Sequence, residues 1–467
     1  MTGSSKTETG ESMRVVTSRS LLLTTAAVAL AASTGIAAAG GFAIREQSAE
    51  SQGMSFAGNA AMGSLSAMFW NPAQTASRDG MNFESSYSIL MPRAEVHVDS
   101  ATPGAGFSNQ QRAGLQAFLN ASPSDADGIA PTALVPASYG NFQYGNIYIG
   151  MGVNGAFGLT TEPNKAGYKG APLAETTKLF TMNFNPTIAM KVMPGVTIGA
   201  GLQAQTAEGT LRFLSVRGRN ADGLTGPMAS FEGNGWAFGG TAGITVEPAA
   251  GTTIGVGYRS RLNQELEGNF NIERGAAVNA RTELKLPDIV TISLRQVVAS
   301  NMRLNATFEW SKWSEFKDLT LRTTEAGAGP LNRGSVGAGG LAATIPANWS
   351  DGYFVAVGGE YDLSPTLTAR AGFAYEKSPV DDPTKRIIGI PDANRYWLSA
   401  GLSWKALANT TFDLAYTHVF IEDSSFDRDT AAPISAAGAP IANQTIHETG
   451  SIKSSLDIVS ASMKTRF

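Results

Sequence analysis

Residues 178–205 read KLFTMNFNPTIAMKVMPGVTIGAGLQAQ, and their hydrophobicity alternates on either side of a short break at Met193-Pro194-Gly195. In each half, the apolar side chains share one parity and the polar residues and glycines share the other. A period of two assigns each set to one face of a β-strand. Because only three residues join the halves, the stretch is predicted to be a β-hairpin.

The same unit recurs from Met81 to the last residue and predicts fourteen strands. They centre near residues 90, 138, 153, 185, 206, 239, 262, 290, 311, 355, 372, 399, 417 and 458. Short turns alternate with long connections such as 99–131, 324–347 and 425–447. An even number of strands with short turns at one end and long loops at the other is typical of outer-membrane barrels. The sequence therefore predicts an all-β fold, a 14-stranded antiparallel transmembrane β-barrel; a soluble sandwich is the alternative.

Composition excludes several function classes. The chain has 467 residues, a net charge of −4 and no cysteine, so disulfides, thiol catalysis and cysteine-based metal sites are excluded. Its three histidines, His97, His418 and His447, are scattered and show no accompanying Ser or Asp constellation. We therefore expect no enzyme activity, no cofactor, no metal and no nucleic-acid partner.

The N-terminal region carries an export signal. Residues 20–39 form a short apolar run that follows Arg14 and Arg19 and ends in three alanines. This pattern predicts a signal peptide cleaved before Gly40, and hence an outer-membrane protein of a Gram-negative cell. An N-terminal anchor helix is the alternative, and the true start is Met1 or Met13.

Aromatic residues support a membrane location. Five tryptophans fall near predicted strand ends, where interfacial belts lie: Trp236, Trp310, Trp313, Trp349 and Trp404. The last strand closes on Phe467, as is common in outer-membrane barrels. Single tryptophans are also common core residues, so this support is modest.

Residues 40–80 lack strand alternation but contain many apolar side chains, among them Phe56, Phe69 and Trp70. A fourteen-stranded cylinder is too wide for its own side chains to fill. We therefore predict a lumenal hatch; the alternative, a disordered periplasmic tail, is disfavoured by the apolar content. The predicted organisation is an N-terminal extension and signal peptide (1–39), a hatch (40–80) and a transmembrane barrel (81–467).

Ordered motifs over nearly the whole predicted mature chain resemble one family. They are GGFAIREQSAESQG (40–53), WNPAQ (70–74), VPASYG (135–140), NGAFGLTTE (154–162), GWAFGGTAGITVE (235–247), VGYRSRLNQELEGNF (256–270), LKLPDIVTIS (284–293), EWSKWSEF (309–316) and IPDANRYWLSAG (390–401). The chain resembles the FadL-type outer-membrane transporters of long-chain fatty acids and other hydrophobic compounds. The resemblance implies a fourteen-stranded barrel with an N-terminal hatch, whose motif matches Asn71, Pro72 and Ala73.

The resemblance also implies a mechanism of passive transport. A hydrophobic ligand is captured at the extracellular side, enters an apolar lumenal site and leaves sideways through a kinked third strand. In this chain that strand is 146–161, and the opening would lie at Asn154, Gly155, Ala156, Phe157 and Gly158. Its glycines permit a bulge or bend, although they would equally ease barrel curvature.

Three residues are candidates for contact with the ligand. Arg212 matches the position at which the family often carries a basic residue for the ligand carboxylate. Alternation from Val196 nevertheless assigns Arg212 to the lipid-facing side, unless a bulge near Gly209 turns it inward. Arg395 and Trp397 fall on the predicted lumenal parity, where a structural charge network is the alternative to a ligand site.

The expected partners are a hydrophobic small molecule and outer-membrane lipid, and the expected state is a monomer. The substrate stays open between fatty acids and aromatic or alkane hydrocarbons, and a general polar porin is a further alternative. The connections at 217–232 and 273–283 look short for the family, which puts its outer capture groove in doubt. Leu115, Phe118 and Leu119 form an apolar stripe in the first loop that would serve either as a landing surface or as a cap.

Overall fold

The structure is a computed structural model of the chain. It describes residues 40–163, 168–214, 228–272, 277–324, 327–328, 335–336, 341–430 and 445–467. The predicted signal peptide lies outside these residues. The two connections expected to be short lie partly outside them, since the described chain resumes at Met228 in one case and at residue 277 in the other.

Fourteen strands form the wall, several of them interrupted once. They are β1 (Met81–Pro103), β2 (Ala133–Tyr144), β3 (Ile147–Asn154 and Gly158–Thr161), β4 (Thr176–Met193), β5 (Val196–Leu214), β6 (Met228–Ala249), β7 (Thr252–Arg259 and Leu262–Ile272), β8 (Val278–Leu286 and Ile289–Ala299), β9 (Met302–Ser311 and Asp318–Thr323), β10 (Leu341–Pro346 and Gly352–Ser364), β11 (Leu367–Lys377), β12 (Arg395–Leu407), β13 (Thr410–Ile421 and Ser424–Asp429) and β14 (Ile446–Arg466).

Each strand pairs antiparallel with the next, and the sheet closes on itself. β14 pairs with β1 along nearly its whole length, from Arg466 opposite Asn82 to Ile446 opposite Pro103. Closure removes the exposed edges that an open sheet would leave unpaired. The predicted fourteen-stranded antiparallel barrel is confirmed.

The alternation of apolar and polar residues corresponds to the outer and inner faces of the wall. Leu202 is 66% exposed and Ile188 is 52% exposed, whereas Asn183 and Gln205 are fully buried. Apolar side chains therefore cover the outer surface and polar ones face the interior, as a wall surrounded by lipid requires.

Short helices lie in the hatch and in the loops. They are α1 (Ala49–Gln52) and α2 (Asn109–Ala121), together with the 3-10 turns Leu65–Phe69, Pro72–Ala76, Trp313–Glu315 and Pro383–Lys385. Among the described residues, no helix is long and apolar enough to cross a membrane.

Residues 40–77 are buried inside the barrel and contact its wall on opposite sides. A Cβ atom at Gly257 of β7 would lie 1.8 Å from the Trp70 carbonyl oxygen, and one at Gly372 of β11 would lie 2.1 Å from the Met54 backbone. Only glycine permits so close an approach of hatch and wall.

Buried ion pairs also join this segment to the wall. Arg45 lies 2.7 Å from Glu309 on β9 and 3.0 Å from Glu376 on β11. Glu50 lies 2.8 Å from Arg370 on β11. Removing one partner of a buried pair typically costs about 3–5 kcal/mol, so these contacts hold the segment firmly in the lumen.

The apolar stripe of the first loop packs inward. Leu119 of α2 is fully buried in a cluster at the loop end of the barrel, and Leu115 and Phe118 pack partly against the same cluster. The contacts of the stripe are those of a cap.

Candidate ligand cavity and wall opening

An apolar cavity lies inside the barrel beside the start of the hatch. Its lining includes Phe42 from the hatch, Leu159 from β3 and Leu211 from β5. The side chains that these strands direct into the barrel are large and apolar at this level. The arrangement suits an apolar ligand, since such pockets bind mainly through burial of hydrophobic surface.

The polar groups at the cavity are few. The hydroxyls of Thr177 and Thr282 line it and have no hydrogen-bond partner within the described part of the chain. Lys178 also contributes to the lining, but its ammonium lies 2.7 Å from Glu162 and its side chain is 43% exposed. The cavity therefore offers hydroxyl groups and an ammonium that is already paired.

A buried arginine lies in a neighbouring cavity, which shares Ile345 with the first. Arg428 on β13 is 6% exposed; its Nη2 donates to the Pro346 carbonyl, and its Nη1 has no partner among the described residues. Glu448 is its cross-strand neighbour on β14, and within the same part of the chain its carboxylate oxygens likewise have no hydrogen-bond partner. Asp429 also borders this cavity but is exposed.

The wall is interrupted beside the apolar cavity. The ladder between β2 and β3 ends where Ala137 pairs with Asn154. The upper part of β3 resumes at Gly158 and is paired with β4. Across this break, the described pairings give β2 residues 133–136 no partner on β3.

The interruption turns β3 inward. Alternate residues of the lower part are exposed, whereas all four residues of Gly158–Thr161 are buried. Above the break, the Glu162 N–H donates to the Ile129 carbonyl at 2.6 Å, which connects the end of β3 to the segment that precedes β2. The break is therefore a bounded window that includes the predicted residues Gly155, Ala156 and Phe157.

The first residues of the hatch cover this window from inside. Residues 42–44 pair antiparallel with 156–158: Ala43 bridges Phe157, and two backbone hydrogen bonds of 2.9 Å flank the bridge. The window is thus closed by three residues that are not part of the wall.

Phe42 lies between the window and the cavity. Its ring packs 4.7 Å from Trp313, 5.9 Å from Trp349 and 6.2 Å from Phe157, measured between ring centroids. The sequence suggested Trp313 and Trp349 for an interfacial belt, and that assignment is wrong because both are buried in this cluster. Trp236 and Trp404, in contrast, are more than half exposed.

The predicted hatch motif forms a tight turn. Asn71 caps the 3-10 turn Pro72–Ala76, with its Oδ1 accepting from the Ala73 N–H at 3.0 Å. Its Nδ2 donates to the carbonyls of Ala60 at 2.9 Å and Ile244 at 3.0 Å. One side chain therefore joins two parts of the hatch to β6.

Arg212 does not face the lumen. The ladder between β5 and β6 runs from Val196 to Leu214 without a register shift, so the bulge considered near Gly209 is absent. Arg212 is exposed on the outer face, and Leu211 takes the inward position in the cavity lining. The expectation that Arg212 meets a ligand carboxylate is corrected accordingly.

Arg395 and Trp397 are buried on the lumenal parity but do not line the apolar cavity. Arg395 donates from Nη2 to Asp392, which also accepts from the Gly41 N–H at 2.8 Å. The Trp397 ring packs 5.8 Å from Phe56 of the hatch. Trp397 therefore contacts the hatch directly, and Arg395 contacts Asp392, which binds the start of the hatch.

Sequence reasoning missed Arg428 and Phe42. The alternation of Phe426 and Arg428 against exposed neighbours would have indicated that both face inward. Nothing in the local pattern indicated that β13 and the 42–44 segment border neighbouring cavities, because that depends on how distant strands meet.

The profile of a family described as "Outer membrane protein transport protein (OMPP1/FadL/TodX)" matches residues 30–467. The "47 kDa outer membrane protein" of Pasteurella multocida is 26% identical over 442 residues, which are 88% of this chain and 95% of that protein. The "Long-chain fatty acid transport protein" of Escherichia coli K12 is 25% identical over 442 residues, covering 84% and 90% respectively.

Solved structures share the fold. A Pseudomonas aeruginosa FadL homologue superposes with a TM-score of 0.75 at 19% identity, covering 91% of this chain and all of that one. The Ralstonia pickettii toluene transporter TbuX superposes with a TM-score of 0.62 at 17% identity, covering 89% and 97%. At these identities, the likeness concerns the fold alone.

Proposed function

Because this chain belongs to the FadL/TodX family of outer-membrane transport proteins, we propose that it carries long-chain fatty acids or similar amphiphiles passively across the outer membrane. Relatives are named for fatty acid transport, and solved structures with the same fold for toluene transport. We further propose that the barrel works as a monomer within outer-membrane lipid and catalyses no reaction.

The observation that carries the fatty-acid proposal is the open donor of Arg428 beside an apolar cavity. A buried guanidinium with an unpaired N–H costs about 1–3 kcal/mol, which a carboxylate would recover. The neighbouring apolar cavity would receive the alkyl tail. In this proposal the carboxylate lies at Arg428 Nη1 and the tail points towards Phe42.

The proposed way out is sideways, through the window in β3 at residues 154–158. Direct passage from the apolar cavity into lipid keeps the alkyl tail out of water, where its exposure would cost about 0.8 kcal/mol per methylene. The inward turn of upper β3 and the missing β2–β3 pairing support this route. Residues 42–44 would leave the window for the tail to pass, and no energy source is required.

Uptake by cells that lack their own transporter tests the function. We expect the protein to increase uptake of radiolabelled oleate, and Arg428→Leu to reduce it more than Arg428→Lys does. Uptake of toluene with no uptake of oleate would favour a hydrocarbon channel. Liposome swelling in sugars at rates typical of open porins would favour a general polar porin, and either result would refute the fatty-acid proposal.

A further inference from the structure

A row of amide side chains crosses the inner wall directly below the break in β3. Asn154 of β3 pairs with Asn183 of β4, which pairs in turn with Gln205 of β5. All three side chains are on the inward parity and at most 2% exposed. Asn154 is the last residue of lower β3, so the row begins at the edge of the window.

These amides are largely unpaired among the described residues. Neither side-chain atom of Asn183 has a hydrogen-bond partner there, and neither has Gln205 Oε1. The Asn154 amide has only the neighbouring Tyr139 hydroxyl, which itself donates to Gln47. Gln205 Nε2 donates to Gln264 at 3.2 Å. Buried polar groups in proteins are usually bonded, so the open amide atoms of these adjacent residues require an explanation.

Anchoring of the hatch does not explain the row. The nearest hatch amide, Gln47, is already engaged: its Nε2 donates to the Gly155 carbonyl at 2.8 Å and its Oε1 accepts from the Tyr139 hydroxyl at 2.9 Å. The hatch amide that does serve as an anchor, Asn71, uses both of its polar atoms. The Asn154–Asn183 pair therefore has hydrogen-bonding capacity that the closed protein leaves unused.

The chemistry of the pair selects a class of ligand group. Directly opposed residues of an antiparallel pair have Cβ atoms about 4.5–5.5 Å apart, so one small group can reach both amides. Each carboxamide offers donors and an acceptor without charge. A hydroxyl or a protonated carboxyl group complements both functions, whereas a carboxylate would leave the two acceptors unmatched.

We propose that Asn154 and Asn183 form a head-group site at the window, which binds the uncharged polar end of a departing amphiphile: an alcohol or the protonated form of a carboxylic acid. This inference rests on the proposed lateral route. The site differs from Arg428, whose guanidinium suits the charged form. The tail enters lipid first, and the pair holds the head group until it follows.

Transfer of 1-dodecanol and of dodecane into liposomes that contain the purified protein tests the site, because the two probes differ in the hydroxyl group. We expect Asn154→Leu and Asn183→Leu each to slow dodecanol transfer about tenfold and to leave dodecane transfer unchanged. Tenfold corresponds to about 1.4 kcal/mol, the size of one hydrogen bond. Two variants on different strands keep the test valid if one of them fails to fold.

Thr241→Val is the matched control. Thr241 on β6 is also buried, and its hydroxyl has no hydrogen-bond partner among the described residues, but it lies three strands away from the break in β3 and pairs with β5 in a ladder without a register shift. The Thr241→Val variant should transfer both probes at the wild-type rate.

Three outcomes would overturn the inference. Wild-type dodecanol transfer in both asparagine variants would mean that the amides bind no head group. Equal slowing of both probes would indicate a structural role. A wild-type protein that transfers oleate but neither probe would overturn the head-group site alone, whereas one that also fails to transfer oleate would refute the proposed function.

Discussion

A reversible cross-link between Ala43 and Phe157 tests whether the hatch must release the window. These residues form an antiparallel bridge, in which Cα atoms lie about 4.5–5.5 Å apart. That separation suits a disulfide, which spans about 4.4–6.8 Å between Cα atoms. Because the chain has no cysteine, Ala43→Cys with Phe157→Cys introduces the only possible pair.

The contacts of the 42–44 segment favour the closed state. Two backbone hydrogen bonds contribute about 1 kcal/mol each, and burial of Phe42 and Ile44 contributes about 1.5–3 kcal/mol each. Together these contacts give about 5–8 kcal/mol, against which release of three residues returns about 1–2 kcal/mol of backbone entropy each. A disulfide removes the remaining open population.

Uptake of radiolabelled oleate should therefore fall to background, at least tenfold, when the double variant is oxidised, and should return on addition of dithiothreitol. Mobility on non-reducing gels after proteolysis verifies the cross-link. The two single-cysteine variants control for the loss of the Phe157 ring. Equal uptake by fully oxidised and reduced protein would refute the requirement that residues 42–44 leave the window.

Three further substitutions test the path. Ala156→Arg introduces an unpaired charge at the window, which costs several kcal/mol to pass; oleate uptake should be lost, whereas Ala237→Arg on β6, away from the break in β3, should retain it, and equal loss in both would remove the support for a lateral route. Asn71→Ala should destabilise the hatch by about 2–4 kcal/mol through the lost cap and orphaned partners, raising single-channel conductance; unchanged conductance would contradict its anchoring role. Arg428→Leu should weaken oleate binding about tenfold or more and leave toluene binding unchanged in fluorescence competition, and equal weakening of both would refute a carboxylate contact.

The barrel could be predicted from the sequence because lipid makes the alternation one-sided. Where the outer face meets hydrocarbon, as at Leu202 and Ile188, each strand shows apolar and polar parities that differ sharply. The predicted centres near 262 and 311 fall where β7 and β9 are interrupted. Interruptions of this kind depend on local backbone bends, which a period of two does not record.

The candidate site was less predictable, since its key features are relations between distant residues. Parity alone assigned Arg212 to the outer face correctly, whereas matching it to a family position suggested the lumen. Arg428 is a candidate because it has an unpaired donor beside a cavity, and Phe42 is a candidate because it lies over the window. Neither property exists in a single strand before the barrel closes.

The anchors of the hatch indicate how a ligand could open the window without an energy source. Arg45, Glu50 and Asn71 are held by buried ion pairs and hydrogen bonds. Residues 42–44 are held by two backbone hydrogen bonds and by apolar contacts, and the contacts of Phe42 lie at the cavity itself. A ligand tail in the cavity competes for the contacts of Phe42. At about 0.8 kcal/mol per methylene, roughly six to ten buried methylenes offset the 5–8 kcal/mol of contacts that hold the segment.

Transport should therefore depend on tail length with a threshold. Fatty acids whose tails fall below about six to ten methylenes would bind without displacing Phe42, and their uptake should stay near background. Longer tails should be taken up at rates that rise steeply and then level off once opening is no longer limiting. Uptake measured over a series from hexanoate to hexadecanoate checks this expectation. A rate independent of tail length would mean that opening is not driven by the tail, while a threshold that shifts to shorter tails in Phe42→Ala would identify Phe42 as the residue the ligand must displace.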